Sequence, residues 1–398
     1  KRNYGGSERG DWSLVSWLFL LLSLPLPPPD ITAKSAILMD YSSGRVLWSK
    51  NEQEKLPPAS LTKILTAIWI LDKGNLEDVV TAGSNPSKIE PTTIGLKEGD
   101  KITLKDLLTA LLVRSANDAA VAGAEYISGS ENEFVSQMNE KARELGAINT
   151  HFVNCHGLPA PNHYSTAYDI AIISRYALRN PIFASIVALK KAEIRIWSKE
   201  ERKITIENTN KFLSFYPYAN GIKTGYTKEA GRCLAASAKK NGWQLIAVLL
   251  NSKDVWKEAQ ALFEYAFNNF QPYFAARIGI PIGYLKINGN PEQIPLVPSS
   301  DIVVFSPKSQ RPAIEVEQEI FKKEPPFKAG EKLGTLKVKV NGEIWGQTDI
   351  LAGEDASLSF SKIFSSFSLK TALLALLLLL LLKLWEERKG KNSPKFYK

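Results

Sequence analysis

Apolar positions along the first two thirds of the chain follow two rhythms. After Pro57 and Pro58, the residues Leu61, Ile64, Leu65, Ile68 and Leu71 keep the helical period, and Gly74 is placed to end the run. Ser60 then falls in the first turn, with Lys63 one turn on and on the same side. The same spacing predicts helices over residues 104–112, 119–126, 131–145, 168–178 and 256–270. Short β-like runs lie outside them. Residues 35–40 and 45–48 are joined through Ser42-Ser43-Gly44, and residues 204–206 and 220–227 follow the helical middle. Residues 233–238 and 244–250 flank Lys239-Lys240-Asn241-Gly242, a hairpin sequence. Strands at both ends and helices between them predict one sheet assembled from the two ends, with a helical cluster beside it.

From Gln271 the texture changes to short β-like runs at 302–305, 314–316 and 336–340, with Asn341-Gly342 as a turn before Ile344-Trp345. Frequent Pro and Gly and no long helical pattern predict a small all-β domain reaching about Glu354. At the start, Lys1 and Arg2 precede an apolar run over 12–24 that Pro25, Pro27, Pro28 and Pro29 terminate. This reads as a signal-peptide core, with an uncleaved N-terminal anchor as the alternative, and either places the body outside the cytoplasm. Near the end, residues 372–382 are all apolar between Lys370 and Lys383, fewer than the roughly 20 that cross a bilayer. Counted from Ile363 to Trp385 with both lysines snorkelling, the run becomes a tilted span; a surface helix is the alternative. The basic residues that follow fit a cytoplasmic end. The expected division is a signal-like segment 1–29, a main domain 30–270, a β-sandwich domain 271–356, and an anchor with a basic tail 357–398.

Composition adds limits rather than direction. The chain has 398 residues, 44% hydrophobic and 23% charged, which is ordinary for a globular protein. Part of its net charge of +9 sits in the tail, and no Lys/Arg stripe interleaved with aromatics marks a nucleic-acid surface. The two cysteines, Cys155 and Cys233, form no framework and are expected as unpaired, partly buried thiols. The three histidines, His151, His156 and His163, crowd one polar loop near Asp169, but their spacing matches no zinc pattern. No metal site is expected, and the loop is read as the edge of a cleft.

The pattern Ser-x-x-Lys occurs at Ser60-Lys63, Ser237-Lys240 and Ser359-Lys362, so alone it decides nothing. The second belongs to a strand end and turn, the third to the flank of the apolar run. Ser115-Ala-Asn117 lies between two predicted helices and Lys223-Thr224-Gly225 on a predicted strand; Lys-Thr-Gly occurs once in the chain. In this order the three elements match the set of serine β-lactamases and penicillin-binding proteins. Over residues 36–270 the chain resembles the low-molecular-mass penicillin-binding proteins of the serine D-alanyl-D-alanine carboxypeptidase family, and the β domain and C-terminal anchor also look like that family's.

The resemblance implies an α+β fold: a β-lactamase/transpeptidase-like domain, with an antiparallel sheet and helical cluster, then a small all-β domain and a membrane anchor. It implies an exported serine carboxypeptidase on the extracytoplasmic face of a bacterial membrane, acting on peptidoglycan stem peptides, acylated by β-lactams and needing no cofactor. Ser60 would be the nucleophile and Lys63, neutralised by burial and by the cation Lys223, its base. Ser115 would relay a proton, and Asn117 would orient Lys63 and the substrate. Lys223 and Thr224 would hold the terminal carboxylate, Gly225 would let the strand approach, and the N–H groups of Ser60 and Tyr226 would form the oxyanion hole. The other readings are a β-lactamase or DD-endopeptidase on the same fold and a non-catalytic wall-binding protein. The absence of any Glu between Leu145 and Ala192 counts against a class A β-lactamase.

Overall fold

The computed structural model describes residues 27–198, 200–287, 293–357, 374 and 376–385. The N-terminal apolar run and Ser359-Lys362 lie outside them. Contacts divide the chain into two units: one runs to Pro272 and takes in Phe305–Arg311, and the other holds Tyr273–Val304 and the chain from Pro312 on.

The first unit begins with strands β1 (Ser35–Asp40) and β2 (Val46–Lys50), followed by a 3-10 turn over Ala59–Thr62 and helix α1 (Lys63–Lys73). Strands β3 (Val79–Thr81) and β4 (Lys101–Thr103) lead to helix α2 (Leu104–Thr109), which runs on as a π turn over Ala110–Arg114. Helices α3 (Asn117–Ser128), α4 (Glu131–Glu144), α5 (Ala167–Ala177) and α6 (Pro181–Val187) follow, then β5 (Lys191–Trp197) and β6 (Glu201–Glu207). A short helix α7 (Phe212–Phe215) precedes β7 (Ala219–Thr227), β8 (Gly231–Lys240) and β9 (Trp243–Ser252), and α8 (Val255–Asn269) closes the run.

The main sheet has the order β2-β1-β9-β8-β7 and is antiparallel throughout, so the two ends of the unit do meet in one sheet. Asn241 and Gly242, both at positive φ, form the two-residue loop between β8 and β9, the backbone such a hairpin requires. Helix α1 is buried on nearly every face, as an all-round apolar helix must be, and packs on α3, α4 and α5. A second, four-stranded sheet, β3-β4-β5-β6, was not expected. Two of its strands are three residues long, and β5 and β6 alternate with charged residues on an exposed face.

In the second unit, β11 (Gly283–Lys286), β12 (Gln293–Pro298), β14 (Ile314–Ile320), β15 (Lys332–Val340) and β16 (Glu343–Ala352) form an antiparallel sheet in the order β11-β12-β16-β15-β14. Leu296, Leu333, Leu336, Val338 and Ile350 are among its core residues. Asn341-Gly342 makes the β15–β16 turn, again with both residues at positive φ. Strands β10 (Phe270–Ala276) and β13 (Ile302–Pro307) straddle the boundary between the units. A helix over Leu376–Trp385 exposes its leucines, and no single helix among the described residues is long and apolar enough to cross a membrane.

Candidate active site

The Ser60 turn is gripped from two sides. Ala59 sits at φ +49, a left-handed backbone that few non-glycine residues adopt. On one side Gly157, at φ +88, lies so close that a Cβ there would be 1.9 Å from the Ala59 carbonyl oxygen. On the other, a Cβ at Gly225 would be 3.0 Å from both the Pro58 carbonyl oxygen and the Ser60 nitrogen, so β7 runs against the turn. Both positions need glycine for close approach, and at Gly157 for the positive φ as well.

Lys63 opens α1, is fully buried, and gathers the site around its amine. Its Nζ lies 3.1 Å from Ser60 Oγ, 2.6 Å from Asn117 Oδ1 and 2.6 Å from the His156 carbonyl oxygen. Burial lowers its pKa to about 7, against a smaller pull upward from Cys155 and Asp118. Two of its three neighbours are pure acceptors and the third is a hydroxyl. In its neutral form the amine can direct its two N–H groups to the carbonyls and leave its lone pair for the Ser60 O–H.

Asn117 is held by three bonds to two segments. Its Nδ2 donates to the Pro91 carbonyl at 2.6 Å and its backbone N–H to Thr92 at 2.8 Å, while its Oδ1 accepts from Lys63. The π turn ends at Ser115, which takes φ +67 and is buried; its hydroxyl makes no hydrogen bond to another described residue. Beside them, buried Asp118 accepts from the N–H groups of Ile94, Leu96 and Ala119 at 2.9–3.1 Å. It thereby fixes the loop that carries Pro91 and Thr92.

On β7, Lys223 is buried and its Nζ donates to the Thr224 carbonyl at 3.0 Å. The Thr224 hydroxyl meets that of Thr209 at 2.8 Å, and the Tyr226 side chain is 69% exposed. Burial is the first cause lowering the Lys223 pKa, and the charge of Lys63 is the second. Burial is the first cause at both amines, and the repulsion between them works in the same direction.

Two of the histidines, His163 and His156, are neutral structural groups. His163 Nδ1 accepts from the Val153 N–H at 3.0 Å, so its Nε2–H faces Thr62 Oγ1 at 2.9 Å, and Thr62 in turn donates to the Ala59 carbonyl. His156 Nδ1 accepts from the Leu158 N–H, leaving Nε2 toward Glu131 at 3.5 Å. Burial lowers the pKa values to about 4 and about 3 respectively. No group of three or more metal-ligating side chains forms among the described residues. A cavity of about 500 Å³ opens at this edge, walled by Pro57, Pro161, His163, Tyr164 and Glu229.

The family model for D-alanyl-D-alanine carboxypeptidase matches residues 24–254, more than half of the chain. The chain belongs to that family. A second model, the C-terminal domain of penicillin-binding protein 5, matches residues 281–357. This carboxypeptidase is 36% identical over 335 residues to D-alanyl-D-alanine carboxypeptidase DacF of Bacillus subtilis, covering 81% of this chain and 85% of that one. It is 34% identical over 331 residues to DacD of Escherichia coli, with 78% and 83% covered. Penicillin-binding protein 5 of Haemophilus influenzae superposes with a TM-score of 0.64 at 29% identity, covering 84% of this chain and 100% of that one. The α+β fold with a C-terminal all-β domain is that of these serine carboxypeptidases.

Ser60, Lys63 and Asn117 are joined directly by hydrogen bonds in this carboxypeptidase, and Gly225 abuts the Ser60 nitrogen. Several supporting groups escape sequence reasoning. Asn154 accepts from the Gly157 N–H at 2.6 Å and donates to the Leu158 carbonyl, shaping the turn that offers His156 O to Lys63. Asp118, Thr62 and Thr209 act through bonds to distant segments. Adjacency to Asn117 and to Lys63 was the signal available for the first two, and Thr209 carried none.

Proposed function

We propose that the chain cleaves the terminal D-alanine from peptidoglycan stem peptides through an acyl-Ser60 intermediate. The observation that carries this reading is the buried Lys63 amine, 3.1 Å from Ser60 Oγ with a pKa near 7 and its other neighbours both carbonyl acceptors. Ser60 Oγ attacks the carbonyl of the penultimate D-alanine as its proton passes to Lys63 Nζ. The C–N bond breaks, and the leaving amine takes a proton by way of Ser115, so that free D-alanine departs. Water then attacks the Ser60 ester and regenerates the hydroxyl. The N–H groups of Ser60 and Tyr226 stabilise the oxyanion, and Lys223 and Thr224 receive the terminal carboxylate. Asn117 keeps Lys63 aimed at Ser60. A β-lactam offers an amide and a carboxylate to the same groups and acylates the same serine.

A peptide ending in D-Ala-D-Ala should release free D-alanine with the wild type, and Ser60→Ala should abolish both this and labelling by a fluorescent penicillin. Equal release by the two proteins would sink the proposal.

Residues 30–270 are read as the catalytic domain and 271–356 as the β domain, with the protein exported and its C-terminal segment in contact with the membrane. The exposed leucines of the Leu376–Trp385 helix support that contact, and cell fractionation of a chain ending at Ala356 tests it.

A further inference from the structure

We infer that Thr209 is a positioning residue that keeps the Thr224 hydroxyl aimed, as a donor, at the carboxylate of the substrate. This rests on the reading of Thr224 as a carboxylate contact. Thr209 lies in the link between β6 and α7, flanked by two asparagines that are 4% and 2% exposed. Asn208 Nδ2 donates to the Leu189 carbonyl at 2.7 Å, and Asn208 Oδ1 accepts from the Asn210 N–H at 2.8 Å. Asn210 Oδ1 accepts from the Phe212 N–H at 3.2 Å. The backbone on both sides of Thr209 is therefore locked by buried side chains.

This scaffold presents two bonds toward the cleft. The Thr209 N–H donates to the Val113 carbonyl at 3.0 Å, two residues before Ser115, and its hydroxyl meets Thr224 Oγ1 at 2.8 Å. One residue thus ties the Ser115 segment to strand β7.

The proton inventory gives the hydroxyl pair its direction. Each hydroxyl has one proton to donate, and a carboxylate can only accept. If Thr224 spent its proton on Thr209, it would meet the carboxylate with a lone pair. Binding therefore selects the chain Thr209 O–H to Thr224 O–H to carboxylate, in which each bond polarises the next. Valine at position 209 preserves the shape and the backbone bond to Val113 but removes this donor. Serine restores it.

The test compares Thr209→Val and Thr209→Ser with the wild type. On a D-Ala-D-Ala-terminated peptide, Thr209→Val should raise KM about fivefold to tenfold, the range expected for one lost hydrogen bond, with kcat within about twofold. Thr209→Ser should stay within about twofold of wild type in both. The second readout is acylation of Ser60, followed by intact mass, with a penicillin and with the methyl ester of its carboxylate. Thr209→Val should slow the first and leave the second at the wild-type rate. Equal slowing with both would assign Thr209 a merely structural role and overturn the inference, as would a Thr209→Ser protein that behaves like Thr209→Val. Should Thr209→Val fail to fold, Thr209→Ala takes its place in both readouts, since alanine also lacks the hydroxyl donor and keeps the backbone bond to Val113. A wild type that releases no D-alanine and is not acylated refutes the carboxypeptidase reading itself, a result distinct from any of these.

Discussion

Lys63 is where single-residue physics matters most. It is the first residue of a helix whose first eight residues are buried but for Trp69 and are mostly apolar, so its stem is packed away from water, and three oxygens at its tip replace the lost solvation. The partial charges of two carbonyls hold the N–H groups without requiring a positive charge, and burial lowers the pKa from 10.5 to about 7. That value sets the sign of the pH dependence. Below the pKa the amine is protonated and has no lone pair, so penicillin acylation of Ser60 should fall by about tenfold per pH unit on the acid side of about 7 and level off above it. A rate that stays flat from about pH 5 to about pH 8 would remove Lys63 from the role of base. Ser60 and Asn117, which touch Lys63, were readable because their motifs lie in order along the chain, whereas the contact with the His156 carbonyl was not. The ones that hold those residues were not: Asp118 acts through the N–H groups of Ile94 and Leu96, whose positions depend on the folded loop.

Among the elements, those with a strong period were legible and those built by tertiary demand were not. The helix over Glu131–Glu144 and the hairpin at Asn241-Gly242 follow from spacing and turn chemistry alone. The helix expected over 104–112 instead gives way after Thr109 to a π turn ending at left-handed Ser115, and Ser60 sits in a 3-10 turn ahead of α1. Both departures fall where a side chain must face the cleft, the kind of local irregularity that sites accept and surrounding packing enforces. The loop against the Ser60 turn makes the same point. Gly157→Ala would force a Cβ into the Ala59 carbonyl at a backbone angle that alanine disfavours. It should cost at least ~2 kcal/mol of stability, and acylation should slow by about tenfold or more because the Ser60 N–H moves with Ala59. Thermal unfolding and penicillin labelling measure the two effects, and a variant unchanged in both would show that this contact does not hold the turn.

For the molecule as a whole, the first compact unit is not one stretch of chain. Phe305 lies in contact with the rings of Trp243 and Phe270, with centroids 6.0 Å away in each case, and Trp243 Nε1 donates to buried Asp40 at 2.7 Å. A chain cut after Phe270 would lose the Phe305 side of that aromatic cluster, a return that no local pattern announces. Removing only the residues beyond Ala356 should leave D-alanine release intact and move the protein out of the membrane fraction; continued membrane association would refute the proposed anchor. The bonds of Lys63 bear on folding as well as on chemistry. They span 54 residues to Asn117 and 93 to His156, so the serine gains its neighbours only after two remote segments have docked. A covalent penicillin adduct is therefore a census of finished molecules: it marks chains whose long-range assembly is complete and passes over those that hold only local structure.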